Sequence, residues 1–454
     1  MYDAAVIGGG PGGYVCAIKL AHYGKKVALI EKDQLGGTCT NWGCIPTKAL
    51  LTATHLLSEA KEKADKLGVK LIVEGYDFQK IMAHAQKSVM MSRKGIEYLL
   101  KKNDVEFLKG TAEILEKGKI QIKETGQIIE ARNIVLAHGS VPVIFPPFNE
   151  VEGIWTSNDI FTMQSVPKSL LIIGGGVIGV EFATFFSALD TKVTIIELAD
   201  HILPSEDADV AEELKKSFVR KGVTIYEKSK VTSIKKTEEG YTVVFVNEKG
   251  TETTLSAEKV LLAVGRKPNI TDDVRALGVE IDRGVKTDTR MRTNIEGVYA
   301  IGDIRGQIML AHVAAYEGVV AAKNIAGIEA HMDYSAVPSI VFTNPEVAAV
   351  GLREKDTNQE EVKVFKFPLS ANGRARTMLE NLGFVKVIAD RASDVVLGVT
   401  IVSPHATELI MEGVIAVRNK LTAHQLEESI HPHPTLSETT LGALEGIVDK
   451  PIHL

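Results

Sequence analysis

Two stretches of the chain share one pattern of apolar and polar positions. Residues 4–7 and 170–173 are short, fully apolar runs that break into glycine-rich turns and then into helix-like segments. Each is followed by a second apolar run, residues 27–30 and 193–196, closed by Glu31 or Glu197. Short apolar runs bounded by glycine read as strands buried on both faces of a parallel sheet. Between the two copies, residues 49–67 and 78–102 carry apolar positions at helical spacing, and residues 133–140 read as a strand. Pro142, Pro146 and Pro147 then punctuate the chain, which places a boundary near residue 143. Residues 298–301 read as a buried strand ending in Gly302-Asp303. After about residue 334, segments 383–389 and 397–402 suggest antiparallel strands, and residues 407–418 a helix.

The repeat is strict. Gly8, Gly10 and Gly13 match Gly174, Gly176 and Gly179, and the acid lies equally far beyond the last glycine in both copies. Such a turn has a physical purpose. The first glycine permits the strand-to-helix turn, the second admits a pyrophosphate to the backbone, and the third packs helix on strand. Phosphates then meet free N–H groups at the positive end of the helix. The distal carboxylate accepts hydrogen bonds from ribose hydroxyls. A single glycine turn of this kind is weak evidence. Two, each after an apolar strand and each closed by Glu, point to two dinucleotide sites.

Composition narrows the remaining classes. A chain of 454 residues suggests two or three domains. The net charge of −6 offers no footprint for nucleic acid or an anionic membrane. Residues 169–189 are apolar enough to resemble a membrane span, but they hold Glu181 and four glycines of the second turn. A charge at mid-membrane costs about 2.5–3.5 kcal/mol, so a buried strand–turn–helix is expected. Residues 1–7 lead directly into a strand, with no basic or cleavable leader pattern, and a cytoplasmic location is expected.

Three cysteines are too few for a secreted disulfide scaffold. Two of them, Cys39 and Cys44, lie just beyond the first fingerprint, within Gly36-Gly37-Thr38-Cys39-Thr40-Asn41-Trp42-Gly43-Cys44-Ile45-Pro46-Thr47-Lys48. A dithiol beside a bound dinucleotide suggests electron exchange between sulfur and a cofactor ring. A metal site or two buried thiols are the alternatives, but zinc or an iron–sulfur cluster normally needs four ligands. The third cysteine, Cys16, falls within the first helix and reads as core. Pro46 suits the first turn of a helix, which would put Cys44 near its N-terminus, where the dipole favours thiolate. His431 and His433 stand in a proline-rich segment and could be read as ligands on one face. No further ligands cluster nearby in sequence, and no metal is expected.

These pieces resemble the pyridine nucleotide–disulfide oxidoreductases, and most nearly the branch that oxidises dihydrolipoyl groups. The similarity extends from Gly8 to Glu438. It includes Gly110-Thr111-Ala112, Ala263-Val264-Gly265-Arg266-Lys267-Pro268-Asn269, Gly302-Asp303, Met309-Leu310-Ala311-His312 and His431-Pro432-His433-Pro434-Thr435-Leu436-Ser437-Glu438. The resemblance implies an α/β fold with two Rossmann-like units and a C-terminal α+β dimerisation unit. Residues 1–143 and 268–333 would bind FAD, 144–267 NAD, and 334–454 would dimerise.

The same resemblance implies residue roles. Cys39 and Cys44 would form the redox disulfide, with Cys44 facing the flavin and Cys39 exchanging with substrate. His433, from the other subunit of a homodimer, would be the base, oriented by Glu438. Lys48 would pair with Glu181 beside the flavin. FAD would be held by Gly8, Gly10, Gly13, Glu31, Gly37, Thr38, Cys39, Lys48, Gly110, Ala112, Gly139, Asp303, Met309, Leu310 and Ala311. NAD would be held by Gly174, Gly176, Val177, Ile178, Gly179, Glu181, Glu197, Val231 and Gly265. The partner would be a lipoylated carrier protein or lipoyl domain. Three positions depart from the family pattern: His138 where Thr is usual, Pro432 where Ala is common, and Thr47 where Ser often stands. A disulfide reductase of the glutathione-reductase type is the competing reading. Glu197 and the lack of an Arg cluster after its strand favour NAD over NADP. Mercuric reductase would need a C-terminal cysteine pair, and no cysteine follows Cys44.

Overall fold

The first apolar run becomes strand Tyr2–Ile7, with Ala4, Ala5 and Val6 fully buried. A computed structural model describes residues 1–454. Tyr2–Ile7 sits inside a seven-stranded sheet, parallel to Val27–Glu31 on one side and Ile128–Leu136 on the other. The long strand Ile128–Leu136 serves two purposes. Its last residues pair in parallel with Val298–Ala300, and its first residues pair antiparallel with Lys119–Ile122. The chain thus returns to the first sheet after completing the second unit. The strand expected over 133–140 ends at Leu136, and Ser140–Pro142 begins another. Gly139, at φ +70°, turns the chain between them.

Helix Pro11–His22 crosses helix Ala311–Ile325 at close range. A Cβ on Gly318 would lie 2.5 Å from the Gly12 carbonyl oxygen, so only glycine permits this approach. Cys16 is fully buried at this crossing. Residues 78–102 form one helix, Phe78–Lys102, capped by the Asp77 side chain accepting from the Lys80 amide. The helix expected over 49–67 starts earlier, at Cys44, runs to Lys63, and is followed by a short 3₁₀ turn, Asp65–Leu67.

The second copy repeats the design. Strand Ser169–Ile173 leads through the glycine turn into helix Val177–Ala188 and on to strand Lys192–Ile196. These strands join Thr224–Tyr226 and Lys259–Leu262 in a four-stranded parallel sheet. A three-stranded antiparallel sheet, Lys230–Thr237, Gly240–Val246 and Glu252–Ala257, stands beside it. No helix is long and apolar enough to cross a membrane. Where the chain enters and leaves this unit, Ser140–Pro142 pairs antiparallel with Arg266–Pro268.

The C-terminal part is a five-stranded antiparallel sheet with helices. Strands Phe384–Asp390 and Val396–Ser403 cover the two alternating segments. The helix expected over 407–418 is divided into Ala406–Leu409 and Met411–Asn419. Helix Glu438–Val448 packs flat on the sheet because Gly442 and Gly446 lie against the rings of Phe367 and Phe365.

A buried charge cluster ties this sheet to the second unit. Lys386, only 1% exposed, places its ammonium 2.9 Å from Asp207, Asp209 and Glu354 carboxylates. Removing one partner of such a cluster strands the others. Lys386→Ala should therefore lower stability by about 3 kcal/mol, the low end for a broken buried pair because Asp209 and Glu354 stay partly hydrated. Urea unfolding followed by tryptophan fluorescence checks this, and an unchanged midpoint would show that the cluster contributes nothing.

Candidate active site: a dithiol between two nucleotide cradles

Both glycine turns open into one cleft of about 1380 Å³. The construction is the same at each. A Cβ on Gly8 would lie 2.1 Å from the Ala137 carbonyl oxygen, and one on Gly174 would lie 2.5 Å from that of Ala263. Gly13 and Gly179 admit the carbonyl oxygens of Gly8 and Gly174 just as closely. In contrast, a Cβ on Gly176 would meet nothing within 4 Å, and one on Gly10 only the Gly37 Cα at 3.9 Å. The middle glycines therefore front open space, at the N-termini of two twelve-residue helices with no acid in their first turns. That is a cradle suited to a pyrophosphate. The cleft exceeds the usual range for a small-ligand pocket, roughly 300–1,000 Å³, and has room for extended dinucleotides.

Each closing carboxylate is fixed by backbone amides. Glu31 accepts from Gly9 (2.7 Å) and Asp33 (2.7 Å). Glu197 accepts from Gly175 (2.5 Å) and Ala199 (2.7 Å). An ionised carboxylate has acceptor sites left for ribose hydroxyls.

The cysteine segment is wedged against the first turn. Gly36 donates its amide to the Gly9 carbonyl at 2.8 Å, and Gly37, at φ +54°, sits against Gly10. A short helix, Gly37–Trp42, carries Cys39. Gly43 breaks it, and helix Cys44–Lys63 begins at Cys44 with Pro46 in its first turn. Both cysteines are unbonded thiols lining the cleft. Their environments differ. The Cys44 thiol is lowered to about 7, because the hydrogen bond from the Cys39 thiol, helped by the nearby Lys48 ammonium, outweighs burial and the Glu181 charge, which both raise it. Cys39 is pushed up, since its proton is held in that hydrogen bond and it is itself largely buried beside Cys44. In the reduced pair the first proton therefore leaves from Cys44, while Cys39 keeps its own.

One turn beyond Cys44, the Lys48 ammonium lies 2.8 Å from each carboxylate oxygen of Glu181. Glu181 also accepts the Phe342 amide at 3.0 Å, and Lys48 stands 4.5 Å from the centre of the Phe342 ring. Asp303 accepts the Ser140 hydroxyl at 2.6 Å. Arg266 donates to the Ser140 hydroxyl and carbonyl, both at 2.8 Å, and reaches Thr38 at 3.4 Å.

Of the residues singled out from sequence, nearly all line this cleft, including Gly110, Ala112, Gly139, Met309, Leu310, Ala311, Val177, Ile178, Val231 and Gly265. Gly179, His433 and Glu438 do not. Gly179 is occupied in packing helix on strand. His433 lies elsewhere in its own chain, with its side chain 79% exposed and Nδ1 2.8 Å from Glu438. Burial would raise the Glu438 carboxyl, but bonds from His433 and the Thr435 amide outweigh it and hold the group below its ordinary value. His431 takes a different acid, Glu412, at 3.0 Å.

Residues 2–318 match the pyridine nucleotide-disulphide oxidoreductase family, and residues 337–443 match that family's dimerisation domain. The chain belongs to this family. Its curated relatives in the family include a dihydrolipoyl dehydrogenase of Chlamydia pneumoniae, 39% identical across all of this chain and 98% of that protein. Another from Bacillus subtilis is 38% identical across all of this chain and 97% of that protein. Among solved structures, LpdA of Mycobacterium tuberculosis superposes with a TM-score of 0.88 at 29% identity, covering 97% of this chain and 99% of that one. The HOCl-induced flavoprotein disulfide reductase RclA of Escherichia coli, in its Cu(II) complex, gives 0.87 at 27% identity, covering 99% of each.

The sequence reading left Ser140, Arg266 and Phe342 without roles. Arg266 lay inside a recognised motif. Phe342 carried no local signal, because its contact with Glu181 spans 161 residues.

In the reduced protein, alkylation of Cys44 by iodoacetamide should rise with pH around a midpoint near 7, because the thiolate forms above the lowered value. Lys48→Met removes the nearby positive charge and should shift the midpoint upward. Peptide mass spectrometry across a pH series checks both, and a midpoint near the ordinary thiol value of about 8.5 would contradict the assignment.

Proposed function

We propose that this chain oxidises dihydrolipoyl groups to the lipoyl disulfide and reduces NAD⁺, using Cys39, Cys44 and bound FAD. The observation that carries this reading is the Cys39–Cys44 pair, set in one cleft with both cradles and beside the Lys48–Glu181 ion pair. The full-length likeness to curated dihydrolipoyl dehydrogenases supports the substrate. In this reading residues 1–143 and 268–333 hold FAD, 144–267 hold NAD and 334–454 form a homodimer. The protein partner is a lipoylated carrier or lipoyl domain of a 2-oxo-acid, acetoin or glycine-cleavage complex, met in the cytoplasm.

The cycle begins with Cys39 and Cys44 joined. Nε2 of the partner subunit's His433 takes the proton of a substrate thiol, while Glu438 on Nδ1 stabilises the charged ring. The substrate thiolate attacks the Cys39 sulfur, and the Cys39–Cys44 bond breaks. Cys44 leaves as a thiolate, the form favoured by Lys48 and the helix N-terminus. The second substrate sulfur, losing its proton, then attacks the first. The lipoyl disulfide closes, and Cys39 departs carrying one proton. When bound, FAD supplies acceptance of an electron pair from Cys44, and NAD⁺ supplies its removal as hydride. As the disulfide re-forms, Cys39 gives up its proton, which leaves with the electron pair as hydride, and the partner subunit's His433 releases the other proton to solvent. The sum is one dithiol and one NAD⁺ giving one disulfide, one NADH and one proton.

The likeness to a flavoprotein disulfide reductase favours a second reading, reduction of a disulfide substrate by a nicotinamide. Steady-state assays with dihydrolipoamide and NAD⁺, beside oxidised glutathione and NADPH, separate the two. Turnover of the first pair alone is expected. Cys44→Ser should abolish dihydrolipoamide oxidation while FAD stays bound, and substantial remaining turnover would overturn the role of the pair. Glu197 repels a 2′-phosphate, so kcat/KM for NADH should exceed that for NADPH by more than about tenfold, near 1.4 kcal/mol. Equal values would remove this role from Glu197.

His433→Gln should slow the dihydrolipoamide half-reaction by about 10²–10⁴-fold and affect flavin reduction by NADH much less. Mixed dimers of His433→Gln and Cys44→Ser should regain one working site each. No recovery after demonstrated subunit exchange would defeat the shared-site arrangement.

A further inference from the structure

Residues 198–207 join strand Lys192–Ile196 to helix Ala208–Arg220 without regular structure of their own. The segment grips the second cradle at two points. The Ala199 amide donates to Glu197 at 2.7 Å, and the Leu203 amide donates to the Gly175 carbonyl at 2.8 Å. Gly175 lies inside the glycine turn, and Glu197 accepts its amide. The first copy has the same arrangement, with the Asp33 amide on Glu31 and the Gly36 amide on the Gly9 carbonyl. There the segment runs on into the helix that carries Cys39. In the second copy it runs on to Glu206 and is anchored on the C-terminal part of the chain.

The anchor is a buried fork. The Glu206 side chain is 2% exposed. Arg353 donates to its two oxygens, from Nε at 2.6 Å and from Nη2 at 3.4 Å. Ser339 donates its hydroxyl to Glu206 at 2.9 Å and accepts Nη2 of Arg353 at 2.8 Å. Nη1 of Arg353 donates to the Gly351 carbonyl at 2.9 Å. Lys355 adds its ammonium to the carbonyls of Pro204 (2.7 Å) and Glu206 (3.1 Å).

A planar guanidinium across a carboxylate fixes orientation as well as distance. A buried carboxylate that loses such a partner is costly. Without Arg353, Glu206 would keep one hydroxyl and be driven toward water, drawing the segment with it. Ile202 and Leu203 are fully buried, so the segment would stay attached. What would change is the placing of the Ala199 and Leu203 amides, and with them Glu197 and Gly175. Glu206, Arg353 and Lys355 do not themselves line the cleft.

We propose that Arg353 is a positioning residue for the nicotinamide nucleotide. Through Glu206 it holds residues 198–207, and these hold the Gly175 turn and Glu197 in the geometry that receives pyrophosphate and ribose. The proposal rests on the reading that NAD occupies the second cradle. It makes the affinity of that cradle depend on a side chain outside the cleft.

The test titrates oxidised holoenzyme calorimetrically with NAD⁺ and with ADP-ribose, which lacks the nicotinamide. Arg353→Met should weaken both by about 5- to 10-fold, the low end for coupling between separate sites. The two factors should agree, because the segment borders the turn and the acid that both ligands would use. Arg353→Lys keeps the charge without the fork and should recover part of the loss. Lys355→Met changes an exposed residue and should weaken both ligands by about 2- to 3-fold, the lower range for one lost hydrogen bond. Flavin reduction by dihydrolipoamide, which needs no nicotinamide nucleotide, should keep its rate in every variant. Unchanged affinities across the variants that fold, whatever their melting temperatures, would overturn the proposal and leave the fork a structural tie. Weakening of NAD⁺ without ADP-ribose would overturn it as well, by moving the effect to the nicotinamide end. A wild-type enzyme that binds neither nucleotide would remove the reading of the second cradle, and this role with it.

Discussion

One buried carboxylate holds three parts of this molecule together at the reacting sulfur. Glu181 comes from the helix of the second fingerprint. It receives both a bidentate approach from Lys48, one turn after Cys44, and the amide of Phe342 at the start of the C-terminal sheet. A carboxylate 5% exposed is expensive unless paired and hydrogen-bonded, and this one is both. The pairing fixes the cysteine helix against the second unit and the C-terminal sheet against both. It also keeps an ammonium group near Cys44, where it favours the thiolate. A residue far from the sulfur in sequence thus helps set the charge that the sulfur carries.

The doubled fingerprint shows how a short motif builds a cleft. In both copies the closing glutamate binds the amide of the residue after the first glycine and an amide two residues beyond itself. The acid therefore shapes the turn as well as facing the space where a ribose would lie. Its spacing from the glycines follows from this geometry: the end of the second strand must stand beside the end of the first. The parallel register pairs Ile7 with Ile30 and Ile173 with Ile196, one residue before each acid.

What was legible in the sequence was local. The two strand–turn–helix copies, the helix Phe78–Lys102 and the helix start near Cys44 depend on residues close together in the chain. The short helix carrying Cys39 was not legible, since six residues between glycines give too little periodicity. The break within 407–418 was equally hidden, because the apolar pattern continues through Ile410 while the backbone does not. Among site residues, the glycines and cysteines carried their own signal. Ser140 and Phe342 did not, since each acts through a contact made by tertiary folding. The Lys48–Glu181 pair, 133 residues apart, was expected only through family resemblance, and no spacing rule would have found it.

The central claim is that the cysteine pair and a bound flavin are two electron stores sharing one cleft. Anaerobic reductive titration of the holoenzyme, followed by absorbance and thiol counting, tests it most directly. The account predicts that each subunit takes up two electron pairs, one by the disulfide and one by the flavin, and that Cys44→Ser takes up only one. Uptake of a single pair by the wild-type enzyme, with no change in thiol count, would contradict it.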